Sequence, residues 1–235
     1  MLPTQKYAGA LPIYIQLSEL IIREMDAGRL MDGERLPTER DMARSYGTSV
    51  GTLRKALAEL ERKGLLKRVQ GSGNYVQKAQ TPAGLYAMFR LELHSGGGLP
   101  AAKVLSVDVL EKPDTLPAFG ISTFATRFRR IRYLNDEAIA LEEIWLDASV
   151  GTLSREVLSD SLYQTYLRRL NFWVTRAEDR VSVGAFPSWT PDEFFPPAAT
   201  CGYVERYSWA DRREAVEFSR TWYDPERAVY VQRLK

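Results

Sequence analysis

Arg130 and Arg132 stand two residues apart in FATRFRRIRYL, a run whose alternation reads as a β-strand. Side chains at i and i+2 of a strand leave the same face. Two guanidiniums on one face, roughly 7 Å apart along it, suit a single phosphate or carboxylate. Ser161, near the start of a predicted helix, can add a hydroxyl and a backbone N–H to the same anion. Glu142 and Glu217 can accept hydrogen bonds from hydroxyl or amine groups on the rest of a ligand. Taken alone, these residues leave a second reading equally open: a solvent-facing strand with a salt-bridge ladder to Glu142 or Glu143. A second group lies near the N-terminus. Thr52, Arg54 and Lys55 form the polar face of the predicted helix VGTLRKALAELERKG. Gly71 and Gly73 sit at a hairpin tip where a backbone can approach phosphates or a minor groove closely.

Several chemistries are missing. Cys201 is the single cysteine and His94 the single histidine, so neither an intrachain disulfide nor a Cys- or His-based metal centre is expected. Cys201 has no histidine near it in sequence to act as a base and reads as a partly buried thiol. Glu142 and Glu143 are adjacent on a strand, face opposite sides, and cannot share one substrate. No Walker A loop, Rossmann fingerprint or Gly-x-Ser-x-Gly elbow occurs. Neither a catalytic residue nor a cofactor is therefore expected. No apolar run reaches 18 residues and the N-terminus has no signal-peptide core, so no membrane span is expected and the cytoplasm is the expected compartment.

The elements that must position these residues fall into two groups. PIYIQLSELIIREMDAGRL places Ile13, Leu17, Leu20, Ile21 and Met25 at helical spacing, with Gly28 as a stop. A second helix starts at a Thr38 cap, with Asp41 in the capping-box position, and ends at Gly47. Thr48 or Ser49 caps the third, which ends at Gly64. LLKRVQ and NYVQ flank a Gly-Ser-Gly turn as two short strands. Helix, helix, tight turn, helix and hairpin make a winged helix-turn-helix, whose third helix can enter a major groove. Residues 1–80 hold 13 Lys/Arg against 9 Asp/Glu, a net +4, while 81–235 carry a net −2. A basic small domain beside an acidic larger one fits a DNA binder joined to something else.

Gly/Pro/Ser-rich stretches in 77–100 read as a connector. Beyond it the pattern is β-rich. Strands are expected over AKVLSVDVLEK, over the pair FATRFRRIRYL and AIALEEIWL around the turn NDE, and over RAEDRVSVGAF. A further pair is CGYVERYSW and EAVEFSRTWY, and VYVQRL closes the chain. A helix starting at Ser159 or Asp160 turns Leu162, Tyr166, Leu167 and Leu170 inward, and TPDEFF begins another. The class is α+β with a mainly antiparallel sheet. The expected domains are 1–78, a connector and entry segment over 79–100, and 101–235.

LPTERDMARSYGTSVGTLRKALAELERKGLL and GSGNYV resemble the GntR family of bacterial transcriptional regulators over about residues 11–76. The resemblance implies that Arg40 contacts phosphate, that Ser49, Thr52 and Arg54 contact DNA from the recognition helix, and that Gly73 sits at the wing tip. Val50 departs from the family pattern, which carries Arg there, and Gly51 follows it. The operator is therefore expected to differ, and a glycine inside a helix costs about 1 kcal/mol relative to alanine. Residues 85–235 resemble the effector domain of the HutC subfamily, the UTRA domain of chorismate-lyase-like fold, through R-R-I-R, A-L-E-E, S-L-Y and V-E-F-S-R-T-W-Y. That resemblance implies effector contacts at Arg130, Arg132, Glu142, Ser161, Tyr163, Glu217 and Tyr223, with Phe89 and Arg90 a looser match. The implied protein is a homodimeric repressor of double-stranded operator DNA, released by a small anion, a phosphosugar or a carboxylate. The fold likeness to a lyase and a winged helix used only for protein contacts are the alternatives. The first lacks a nucleophile–base pair, and a flat salt response would favour the second.

Overall fold

A computed structural model describes residues 11–77, 86, 88–196 and 198–233. The chain divides into two compact units, residues 1–100 with 230–235, and residues 101–229.

In the first unit, helices α1 (Ile13–Asp26), α2 (Glu39–Ser45) and α3 (Val50–Arg62) precede strands β1 (Leu66–Val69) and β2 (Gly73–Val76). Leu17, Ile21, Leu36, Met42, Leu53, Leu57 and Leu60 share one core with Ile22, Leu65, Leu66 and Val76. The buried stripe of α1 is centred on Leu17, Ser18, Ile21 and Ile22. Ile13 and Leu20 fall to one side of that centre, so Ile13 is exposed and Leu20, expected in the core, is only half-buried. The Glu19 carboxylate is fully buried and accepts from Lys63 Nζ at 2.8 Å, tying α1 to the end of α3. Thr38 caps α2 and Ser49 caps α3, each accepting the backbone N–H three residues on. Gly47, at φ 60°, makes the turn between the two helices in a conformation L side chains rarely adopt. β1 and β2 pair antiparallel from Leu66↔Val76 to Val69↔Gly73. A third strand, β3 (Leu91–Leu93), completes this unit's sequence of elements.

The second unit is built on one six-stranded, mainly antiparallel sheet. Its strands are β4 (Pro100–Glu111), β5 (Phe124–Leu134), β6 (Glu137–Asp147), β7 (Arg176–Ala185), β8 (Thr200–Trp209) and β9 (Glu217–Tyr223), in the order β4-β5-β6-β9-β8-β7. Asn135 and Asp136 both take positive φ, 50° and 68°, as a two-residue hairpin turn requires. Helix α4 (Leu162–Leu170) covers one face, where Leu162 and Tyr166 pack on Phe128, Ile144 and Leu146. Phe119, Trp145 and Phe218 form the core on the other face. Three expectations are corrected. Leu167 lies on the side of α4 away from Leu162 and is exposed. TPDEFF makes a single turn, closed by Phe194 N–H to Pro191 O, because Pro196 follows within two residues and stops propagation. The closing strand of VYVQRL shortens to β10 (Ala228–Tyr230).

Candidate functional site

The N-terminal candidates cluster around the front of α3. Ser49 Oγ accepts from Thr52 N–H at 3.1 Å and lies 2.9 Å from Thr52 Oγ1, so these two hydroxyls serve as the helix cap. Arg40, Arg54 and Lys55 are exposed. Arg54 Nε donates to Glu39 Oε2 at 2.6 Å, across the turn between the helices. Val50 turns partly into the core, and a Cβ on Gly51 would meet only Ser49 Oγ, at an ordinary contact of 3.9 Å. At the wing, Gly71 has φ 75° and Gly73 φ 130°. A Cβ on Gly73 would come within 3.2 Å of Arg35 Nε, so Arg35, not anticipated from sequence, lies against the wing backbone. Lys67 and Arg68 on β1 are exposed.

The larger group is laid out by strand register. Arg130 pairs with Glu142, Glu142 with Thr221, and Thr221 with Val204, giving one row across β5, β6, β9 and β8. The next row on one side runs Arg132, Ala140, Tyr223, Gly202. On the other side run Phe128, Ile144, Ser219, Arg206, Asp179, and beyond it Leu146, Glu217, Ser208. All point to the face covered by α4, because period-two alternation holds across these rows, the register shift of the β5–β6 ladder falling beyond them between Arg132 and Tyr133. Arg130 donates to Glu142 Oε2 through Nη2 at 2.5 Å and Nε at 3.1 Å. Arg132 Nη1 donates to Asp160 O at 3.0 Å, and its Nε is 3.6 Å from Glu142 Oε1. Asp160 immediately precedes Ser161, the cap of α4, which accepts from Gln164 N–H. The salt-bridge ladder of the alternative reading therefore exists, but buried: Arg130 and Arg132 are 4% and 2% exposed. Glu143, on the opposite face, accepts from Arg129 and Trp145 instead.

Arg130 Nη1 is buried and has no hydrogen-bond partner among the described residues. A buried charged donor left unpaired costs free energy, and an anion at this position would satisfy it. Burial works against charge on Glu142, yet Arg130 and Arg132 outweigh it and hold its carboxyl below the usual range. Glu217 behaves oppositely. Burial raises its pKa, although Tyr166 OH (2.5 Å), Ser208 Oγ (2.9 Å) and Tyr163 OH (3.2 Å) all donate to it. Tyr163 also meets Ser208 at 2.9 Å. Arg206 is bidentate to Asp179. A Cβ on Gly202 would overlap the Tyr223 ring at 2.1 Å, so Tyr223 lies over a glycine that leaves room for it.

Thus Arg130, Arg132, Glu142, Ser161, Tyr163, Glu217 and Tyr223 share one face with the start of α4. Phe89 and Arg90 fall in the first unit. There the Arg23 guanidinium stands 5.3 Å from the Phe89 ring centroid, and Arg90 Nε donates to Gln232 at 2.9 Å. Sequence reasoning missed Ser219 and Thr221, although the period-two run from Glu217 to Tyr223 marks them. It also missed Asp179, Arg206, Ser208 and Gly202, whose places depend on the β7–β8–β9 register, and it read Tyr166 as core and not as a partner of Glu217. Cys201 is buried, with its thiol pushed up to about 11 by burial and by Asp224. Among the described residues no cluster of His, Cys, Asp and Glu is arranged to hold a metal, and no helix is long and apolar enough to cross a membrane.

The family model for bacterial regulatory proteins of the gntR family matches residues 13–76, and that for the UTRA domain matches 95–228. The chain belongs to the GntR family, in its UTRA-bearing, HutC-type form. It is 51% identical to the HTH-type transcriptional regulator SmoD of Agrobacterium fabrum, over 97% of this chain and 98% of that protein. It is 27% identical to the mannosyl-D-glycerate transport/metabolism system repressor MngR of Escherichia coli, over 74% of this chain and 75% of that protein. The crystal structure of the possible regulator YydK from Bacillus subtilis matches with TM-score 0.54 at 22% identity, covering 96% of this chain and all of that one, a likeness of fold. This GntR-family protein is a ligand-responsive, DNA-binding transcriptional regulator and not an enzyme.

Proposed function

We propose that the regulator is a repressor, acts as a homodimer on double-stranded operator DNA, and leaves it when a small anion binds between Arg130 and Arg132. The observation that carries this is Arg130 Nη1, a buried donor without a partner among the described residues, beside a second buried arginine. With Glu142 between them, the two guanidiniums leave a net positive charge for one phosphate or carboxylate. Tyr163 and Tyr223 bracket the rest of the molecule, Glu142 and Glu217 fix its polar end, and Ser161 adds its hydroxyl. The MngR repressor is named for a system handling mannosyl-D-glycerate, which carries both hydroxyls and a carboxylate. That chemistry suits this set of side chains, and a phosphosugar suits it equally.

DNA contacts fall to Arg40, Ser49, Thr52, Arg54 and Lys55, with Gly71 and Gly73 bringing the wing backbone to the duplex. On this reading residues 1–78 bind DNA, 79–100 connect, and 101–235 bind effector and dimerise. Two recognition helices must reach half-sites about one helical turn apart. An exposed edge strand is a pairing hazard that proteins cover, and β7 is an edge with Val181 and Val183 exposed. A second copy of the chain is its proposed cover.

A thermal-shift screen of phosphosugars and carboxylate sugars, run in parallel on the wild type and Arg130→Ala, tests the reading. A hit should raise the melting temperature of the wild type and not of the variant. Equal shifts in both proteins would place the anion elsewhere.

A further inference from the structure

Resting on the assignment of Arg54 to DNA, we propose that Glu39 is a positioning residue for sequence readout. It holds the Arg54 guanidinium so that its free edge meets a base and not the nearest phosphate.

The front of the recognition helix is unusually bare. Val50 is turned partly into the core, Gly51 has no side chain, and the Ser49 and Thr52 hydroxyls are engaged with each other and with the helix N-terminus. Arg54 and Lys55 are the charged groups left on its first two turns. Capping of α2 is done by Thr38 and Asp41: Asp41 N–H donates to Thr38 Oγ1 at 3.3 Å, and Thr38 Oγ1 donates to Asp41 Oδ2 at 2.6 Å. Glu39, first residue of α2, is therefore free of capping, and its carboxylate reaches across to Arg54 Nε at 2.6 Å.

An ion pair this exposed, with Arg54 65% accessible, contributes little to folding stability. Its chemistry points to recognition. A bond to Nε leaves the Nη1 and Nη2 donors of a rigid fork, which can reach the acceptors O6 and N7 of guanine. Held by a carboxylate, the fork loses the freedom to swing to a phosphate. The same negative charge repels phosphate generally, lowering affinity for wrong sequences more than for one that offers Arg54 a base. This is discrimination by an unfavourable term as well as a favourable one.

The test uses the full-length protein. A duplex is selected from a randomised library, and affinities for it and for a scrambled duplex are measured over a range of salt. Glu39→Ala should raise affinity for the scrambled duplex and steepen its log K against log salt slope by about 0.9, one phosphate. Its selectivity should fall about tenfold, within the range of one base contact, with the melting temperature unchanged. Glu39→Gln keeps an acceptor for Nε and should retain more selectivity than Glu39→Ala. In an Arg54→Ala background, Glu39→Ala should cause no further loss of selectivity. Unchanged selectivity and slope in Glu39→Ala would overturn the proposal, as would the same changes in the Arg54→Ala background. Full selectivity in Arg54→Ala itself would show that Arg54 reads nothing, removing the assignment beneath the proposal as well.

Discussion

Glu142 and Glu217 lie one strand apart on the same face and are pushed in opposite directions. Glu142 is the counter-charge of two buried arginines, so Glu142→Gln should lower folding stability by about 3–5 kcal/mol, the cost of leaving buried charge uncompensated. Because the folded-state pKa of Glu142 is depressed, its contribution is present above the pKa of an unfolded glutamate and is lost as pH falls through the folded value. The gap between wild type and Glu142→Gln, measured by denaturant unfolding, should therefore close on acidification. Inorganic phosphate should partly restore the variant by pairing with Arg130. Glu217 has a raised pKa, so its folded form is favoured while protonated, and that contribution is lost as pH rises through the folded value. Glu217→Gln removes the charge and keeps one acceptor oxygen, while its NH2 donates on the other side, where a hydroxyl can turn to accept. Its stability should exceed wild type at high pH and match it at low pH, and a wild-type advantage on the alkaline side would contradict this sign.

Among the elements, β8 and β9 carry half of the candidate site, and Gly202 is its most sensitive backbone position. Gly202→Ala would drive a methyl group into the Tyr223 ring. It should weaken effector binding while leaving DNA affinity unchanged, as calorimetry and operator titration on the same preparation would show. The winged helix was legible residue by residue, because Thr38, Ser49, Gly47 and Gly64 are local signals whose meaning does not depend on distant chain. The paired strands β5 and β6 were legible for the same reason, through alternation and the Asn135–Asp136 turn. Arg206 and Gly202 were not, since their roles exist only once β8 lies beside β9 in one register. Two residues of the expected connector and entry segment, Leu91 and Glu92, are held by arginines. Arg23 on α1, 8% exposed, donates to Leu91 O at 2.8 Å, and Glu92 is bidentate to Arg233 at 2.6 and 3.0 Å. A fragment of residues 1–78 retains the helical core and should fold alone. It should melt below a protein that keeps these contacts, because Arg23 loses its buried acceptor. Failure of the fragment to fold would make the entry segment part of the DNA-binding unit's minimum.

For the whole molecule, DNA affinity and effector affinity should be separable quantities that meet only through the preference of the effector for one arrangement of the chain. Selected-duplex affinity should fall with salt by about 0.9 log units per log unit for each phosphate neutralised, and a flat response would favour a winged helix used for protein contacts. On the proposed function, the anion on Arg130 and Arg132 governs release from DNA read elsewhere. The most direct measurement is release of a labelled, library-selected duplex, followed by fluorescence anisotropy, as the anion with the largest thermal shift is added to wild type and to Arg130→Ala. Duplex affinity without anion should be equal for the two proteins. Arg130→Ala should need about 10- to 150-fold more anion for release, the equivalent of one charge-assisted contact. Release of both proteins at the same anion concentration, or loss of duplex binding by Arg130→Ala before any anion is added, would contradict it.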